Sequence, residues 1–128
     1  MGYHMSLTDQ NFFIDKKHIQ TIVDKVKENA EKFQGAYSQA VDDAKRVENL
    51  DDALGMGHFA PDIDEGGNIN YLDFVGEKKG WGEEELFEII APYVQKDSFL
   101  QFSGEDGALW RYVFDGKTVR EIEPEIIW

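Results

Sequence analysis

Cysteine is absent from the chain, which excludes disulfides, thiol catalysis, thiolate zinc sites and cysteine-ligated iron–sulfur clusters. Long apolar runs are missing too. Stretches such as Phe12-Phe13-Ile14 and Ile89-Ile90-Ala91 are too short to cross a bilayer or to form a signal-peptide core. No glycine-rich loop ends in Lys-Ser or Lys-Thr, and Gly55-Met56-Gly57 lacks the length and context of a dinucleotide fingerprint. Bases are scarce: 13 Lys and Arg stand against 26 Asp and Glu, a formal charge of −13. The deficit is uneven, with eight acids and seven bases in residues 1–50 but eighteen acids and six bases in residues 51–128. Such a surface repels phosphate backbones and anionic lipid, so neither nucleic acid nor a membrane is the expected partner. A basic protein partner fits it, as does simple solubility, and a cytoplasmic protein is expected. Charge is silent on oligomeric state.

At 128 residues one domain is expected, able to bury roughly two thirds of its unfolded surface without a metal or disulfide staple. Met1-Gly2-Tyr3-His4-Met5 has the look of a cloning-derived or disordered leader, because a second start-like methionine precedes Ser6. The domain is therefore expected over residues 6–128.

Asn11–Ile14 reads as a strand delivering the chain to Asp15, a helix N-cap. Ile19, Ile22, Val23, Val26, Ala30 and Phe33 then recur at helical spacing, and Gln34-Gly35 ends the helix. A weaker helical pattern covers residues 36–55, as one kinked helix or two short ones, with Asn49 placed to cap the turn that holds Asp52. Asn68–Val75 alternates with large apolar residues on both faces, the pattern of a central strand covered by helices. A helix starts near Gly82, its first-turn Glu83, Glu84 and Glu85 facing the positive end of the helix dipole, and Pro92 tightens its last turn. Three strand-like runs follow, Ser98–Phe102, Ala108–Phe114 and Lys117–Ile122. Asp115-Gly116 forms a tight hairpin turn between the last two, and Trp128 extends or seals the final edge. Trp110, Tyr112 and Phe114 share the face expected to meet the helices. The order predicts an α+β fold, a mostly antiparallel sheet of about five strands with two or three helices on one face and a C-terminal three-stranded meander.

Residues Asp62 to Phe74 resemble the calcium loop of EF-hand proteins, with acids at the first and third loop positions, Gly67 at the sixth and Asp73 at the twelfth. The resemblance implies Ca2+ ligation by Asp62, Asp64, Asn68, Asn70 and Asp73. The loop departs from that pattern at Gly66, which has no side-chain oxygen, and at Asp73, shorter than the usual glutamate. The same residues also read as an acidic turn feeding a strand. His58 with Asp62 or Asp64 is a candidate metal or proton-transfer pair, which would make a small hydrolase if His58 lay in a pocket beside Trp81 or Trp110. No catalytic residue is otherwise indicated, and no other cofactor is implied.

Gly104–Gly116, with Ala91-Pro92-Tyr93-Val94 upstream, resembles a pattern found in small uncharacterised bacterial α+β proteins, some of them accompanying toxin–immunity or mobile-element genes. The resemblance spans about residues 68–122 and implies the fold, with protein binding ranked above catalysis. The expected role is a non-enzymatic, immunity-like domain presenting Asp62, Asp64, Glu65, Glu105 and Asp106 to a basic partner.

Overall fold

The computed structural model describes residues 3–123; the expected role of Trp128 lies outside them. Four antiparallel strands form the main sheet in the order β1-β4-β5-β6, with β1 over Met5–Asn11, β4 over Phe99–Gly104, β5 over Leu109–Phe114 and β6 over Val119–Ile122. A separate hairpin pairs β2, Phe59–Ile63, with β3, Ile69–Phe74. The helices are α1 at Ile19–Glu28, α2 at Ala40–Lys45, α3 at Leu50–Gly55 and α4 at Glu83–Ile90. The fold is α+β, with the C-terminal meander in place.

Local chemistry explains most boundaries. The Asp15 side chain accepts the Lys17 amide and opens a 3-10 turn that feeds α1. Gln34-Gly35 ends that helical stretch, with Gly35 at φ 93°. Residues 36–55 resolve into two short helices. Asn49 Oδ1 accepts the Asp52 amide at 2.8 Å, while the Asp52 carboxylate accepts the amide of Glu48, one residue before the position a reciprocal box uses. Pro92 lies in a 3-10 turn, Ala91–Tyr93, that closes α4. The β5–β6 connection is longer than the expected two-residue turn. Phe114 pairs with Val119, and the Asp115 carboxylate holds the intervening loop by accepting the amides of Lys117 and Thr118 and the Thr118 hydroxyl.

Core and solvent faces follow side-chain alternation. Trp110, Tyr112 and Phe114 turn inward, and Phe87 of α4 meets the Tyr112 ring at 4.8 Å and the Phe114 ring at 5.8 Å. Phe102 of β4 adds edge contacts to Phe74 and Tyr112. On the other face Arg111 lies over Phe99 and donates from Nε to the Gln101 side chain at 2.9 Å.

Three expectations are corrected. The first strand lies upstream of the anticipated Asn11–Ile14 segment, and Met5 within it is buried. The leader expected to stay outside the domain joins the fold from Tyr3 onward: Lys79 N–H donates to the Tyr3 carbonyl, and Met5 N–H to the Glu77 carbonyl, each at 2.8 Å. Third, β3 is not a covered central strand. Its outward face leaves Tyr71 exposed, and Val75 beyond it is 68% exposed.

The separation of the two sheets has a visible cause. β1 and the β3 region run side by side and pair at both ends, through reciprocal Ile14–Ile69 bonds and through the His4–Lys78 bridge. Between those ends the Gln10 side chain substitutes for strand pairing. Its Nε2 donates to the Leu72 carbonyl at 2.7 Å and its Oε1 accepts the Leu72 amide at 2.9 Å. A carboxamide carries the same donor and acceptor as a peptide group, so it satisfies both backbone atoms of Leu72 where the two strands do not pair directly.

Candidate functional site

The segment from Glu77 to Trp81, which links β3 to α4, lies between two tryptophans and presents adjacent lysines to them. Lys78 Nζ sits 5.1 Å from the Trp81 ring centroid, and Lys79 Nζ sits 4.5 Å from that of Trp110. Two features fix the segment. The buried Glu83 carboxylate folds back to accept the amides of Gly80 and Trp81. Gly82 holds φ 110°, where any Cβ would collide with the Met56 carbonyl oxygen. Glu83, expected only to serve the dipole of α4, is a buried tie as well: it is 0% exposed, and desolvation raises its pKa against the pull of the amides. With no side chain at Gly82 to cap α4, the carboxylate of the next residue ties the preceding turn instead.

On one side of this segment is a cleft of about 720 Å³, whose walls include Tyr3, Lys79, Glu84, Trp110, Glu121 and Glu123. Topology assembles it. Tyr3 arrives through the N-terminal extension of β1, Trp110 from the first half of β5, and Glu121 from β6 directly across from Tyr112. Lys79 pairs with Glu121 at 3.4 Å while lying on the Trp110 face. Tyr3 donates its hydroxyl to Asp106, and its ring stands 6.2 Å from that of Trp110. The same bond raises the Tyr3 pKa and lowers that of Asp106. Glu84 is shifted upward, first by desolvation and then by the charges of Glu121 and Glu83, with Lys79 opposing. Behind the Trp110 wall, Trp110 Nε1 and the Tyr112 hydroxyl are buried, close enough for the indole to oppose the rise in the Tyr112 pKa but without a well-aligned hydrogen bond. Burial, with Glu84, Glu121 and Glu83 nearby, pushes the Tyr112 pKa up.

On the other side is a smaller pocket of about 190 Å³, lined by His58, Gly76, Glu77, Lys78 and Trp81. His58 adopts a left-handed backbone, φ 66°, and its ring stands 6.0 Å from Tyr37 and 6.3 Å from Trp81. Its Nε2 is buried and unpartnered. His58 lies beside Trp81, one of the two placements that the hydrolase reading required. The anticipated partners Asp62 and Asp64 are elsewhere: His58 immediately precedes β2, whereas Asp62 lies near the far end of that strand and Asp64 in the turn beyond.

The acidic residues singled out from sequence fall into two groups. Glu105 and Asp106 form the β4–β5 turn at the Met5 end of β1, where the Glu105 side chain accepts the His4 amide and Asp106 holds Tyr3. Asp62, Asp64 and Glu65 belong to the β2–β3 hairpin near the opposite end, where Asn68 Oδ1 accepts the Lys16 amide. The intervening seven-residue strand sets the two turns roughly 20 Å apart at about 3.3 Å per residue. They do not make one patch.

The calcium-like loop is a hairpin. Asp64 Oδ1 accepts the amides of Gly66 and Asn68, and the Asn68 carbonyl accepts the Asp64 amide. Asp62 pairs with Tyr71 and Asp73 with Ala60 across the ladder, while Asn70 is exposed. The Asp64 carboxylate is directed to the loop's own backbone and Asn68 Oδ1 to the Lys16 amide, and among the described residues no three His, Asp or Glu side chains stand together as a metal group.

Sequence reasoning missed Lys79, Tyr3, Glu84 and Glu121. The adjacent Lys78 and Lys79, in a segment with only six bases, are a usable signal. Among the described residues no helix is long and apolar enough to cross a membrane. Comparison with protein-family models, curated proteins and solved structures returns no match for this chain.

Proposed function

We propose that this domain is a non-enzymatic protein-binding module that docks a basic partner protein over the Trp110 cleft, with Glu105 and Asp106 at the adjoining turn. The observation that carries this reading is the occupied cation position: an ammonium rests on the Trp110 face and against Glu121. Aromatic faces and carboxylates over a desolvated floor attract cations more strongly than the same groups in open water. Among the described residues the cleft wall carries the carboxylates of Glu84, Glu121 and Glu123 against the ammonium of Lys79. Local negative charge is left for a partner, and an immunity-like role would use it to speed encounter with a cationic surface. A hydrolase centred on His58 would need a nucleophile or carboxylate on Nε2, and no described residue supplies one by hydrogen bond.

The test is titration of the full chain with a short oligolysine peptide, followed by tryptophan fluorescence. Binding should weaken between about 50 and 500 mM NaCl, as screening shortens the reach of exposed charges. An E84Q/E121Q double variant should lose roughly tenfold in affinity, whereas D62N/D64N, at the distant turn, should lose far less. Equal losses from the two pairs would defeat the assignment of the cleft, and no binding at about 1 mM peptide, a level that detects even the weakest specific complexes, would defeat the basic-partner reading.

A further inference from the structure

We infer that Lys79 is a resident mimic of the ligand, and that the Trp110 cleft is built to receive a lysine side chain of the partner, which displaces Lys79. The inference rests on the protein-binding reading and names the recognised group. Four observations carry it.

First, Lys79 makes the contacts that an incoming lysine would make: its ammonium is 4.5 Å from the Trp110 centroid and 3.4 Å from Glu121 Oε2. Second, the cleft is far larger than this one side chain requires, about 720 Å³. Third, carboxylates outnumber ammonium groups on its wall, so a second cation could enter before the first departs. Fourth, the floor is unfinished. Trp110 and Tyr112 are 3% and 2% exposed, and their indole nitrogen and phenol oxygen approach each other without forming a well-aligned hydrogen bond. Native interiors leave few such atoms unsatisfied, and those that remain concentrate where a structure is completed by something else.

The attachment of Lys79 suits displacement. Its anchor in the fold is the backbone bond from its amide to the Tyr3 carbonyl, whereas the side chain is held by an ion pair with partly exposed partners, 30% and 36%. Exposed ion pairs and cation–aromatic contacts are individually weak. The side chain can therefore swing out while the segment stays in place, pinned by the Glu83 bonds to Gly80 and Trp81. A partner lysine would then occupy the Trp110 face, and the released Lys79 would be free to meet acidic groups on the partner.

The peptide acetyl-Gly-Lys-Gly-amide tests this, titrated into wild-type protein, K79Q and K79Q/E121Q, with the Trp110 indole resonance followed by NMR. Acetyl-Gly-norleucine-Gly-amide, similar in shape and uncharged, is the control. Removing the resident competitor should strengthen lysine-peptide binding about five- to tenfold, the sum expected of one cation–aromatic contact and one exposed ion pair. Adding E121Q should remove most of that gain, and the norleucine peptide should leave the Trp110 resonance unmoved. The inference is overturned if K79Q binds the lysine peptide no better than wild type, or more weakly, or if norleucine binds equally well. Thermal unfolding of K79Q, expected only a few degrees below wild type because the same two contacts are lost from the fold, separates loss of fold from loss of binding. Should oligolysine bind wild type while K79Q brings no gain, the basic-partner reading stands and the mimicry fails.

Discussion

Truncation of Glu83 is the sharpest probe of how the two pockets are held together. Its carboxylate is fully buried and accepts the amides of Gly80 and Trp81. A hydrogen bond to a charged acceptor contributes about 1.5–3 kcal/mol, but a buried carboxylate also carries a desolvation cost of comparable size. Glu83→Ala removes both bonds and leaves a small void, offset in part by the lost desolvation, for an expected net loss of about 2–4 kcal/mol. Glu83→Gln keeps the volume and one acceptor oxygen and removes the buried charge, so it should lose only about 1 kcal/mol. Urea denaturation at neutral pH measures both. pH supplies an independent check. Because the Glu83 pKa is raised in the folded state, chiefly by desolvation, both states are protonated in strong acid, where this group costs nothing. As pH rises through the ordinary carboxyl range the unfolded chain ionises first, and stability falls until the raised folded value has been passed. Wild type should therefore gain on Glu83→Gln as the solution is acidified. The reasoning is refuted if Glu83→Ala lies within about 0.5 kcal/mol of wild type, the range of ordinary surface changes, or if the difference between wild type and Glu83→Gln is flat across the acid range.

Two further outcomes follow from the same chemistry. Tyr112→Phe removes a buried hydroxyl that meets the Trp110 indole nitrogen without a well-aligned hydrogen bond, and should leave stability within about 1 kcal/mol of wild type; a larger loss would show that the pair is a full hydrogen bond. Asp115 is held at a pKa of about 2 by the amides of Thr118 and Lys117 and the Thr118 hydroxyl. Its contribution is present above the unfolded value and disappears as pH falls through the folded one, so the stability gap between wild type and Asp115→Ala should close between about pH 4 and pH 2; a gap that persists at the acid end would contradict the loop geometry.

The legible parts of this fold were those whose cause is local. Period and capping located α1, α4 and the meander, because Asp15, Gly35, Pro92 and the Trp110-Tyr112-Phe114 alternation act within a few residues of themselves. The Asn68–Val75 strand was found but misplaced. Its two apolar faces suggested a covered strand, whereas a shift in register between Asp62 and Ile63 and the Gln10 bridge set it in a second, partly exposed sheet. Nothing near Gln10 announces that its carboxamide will replace a peptide group sixty-two positions away. Glu83 shows the opposite failure. Its neighbours Glu84 and Glu85 made a dipole-facing acid the natural reading, but burial depends on Gly82 and Gly57, whose missing side chains allow α4 to pack closely against the chain after α3.

The same distinction between local and distant causes decides what the acidic charge can mean. A net charge of −13 invites the idea of one broad negative face, yet the two acidic turns lie roughly 20 Å apart along β1, more than twice the screening length of about 8 Å in physiological salt. At that separation the Asp62–Glu65 turn adds little to the field inside the cleft. What a partner meets there is set by a few neighbours: Glu84, Glu121 and Glu123, with Lys79 among them, and the rings of Tyr3 and Trp110. Within that small volume one ammonium more or less changes the local balance by a large fraction, whereas in the whole-chain charge it is a minor term. Selectivity for a cationic group should therefore follow substitutions at Lys79 and Glu121 and stay nearly indifferent to equal changes of charge at the β2–β3 hairpin.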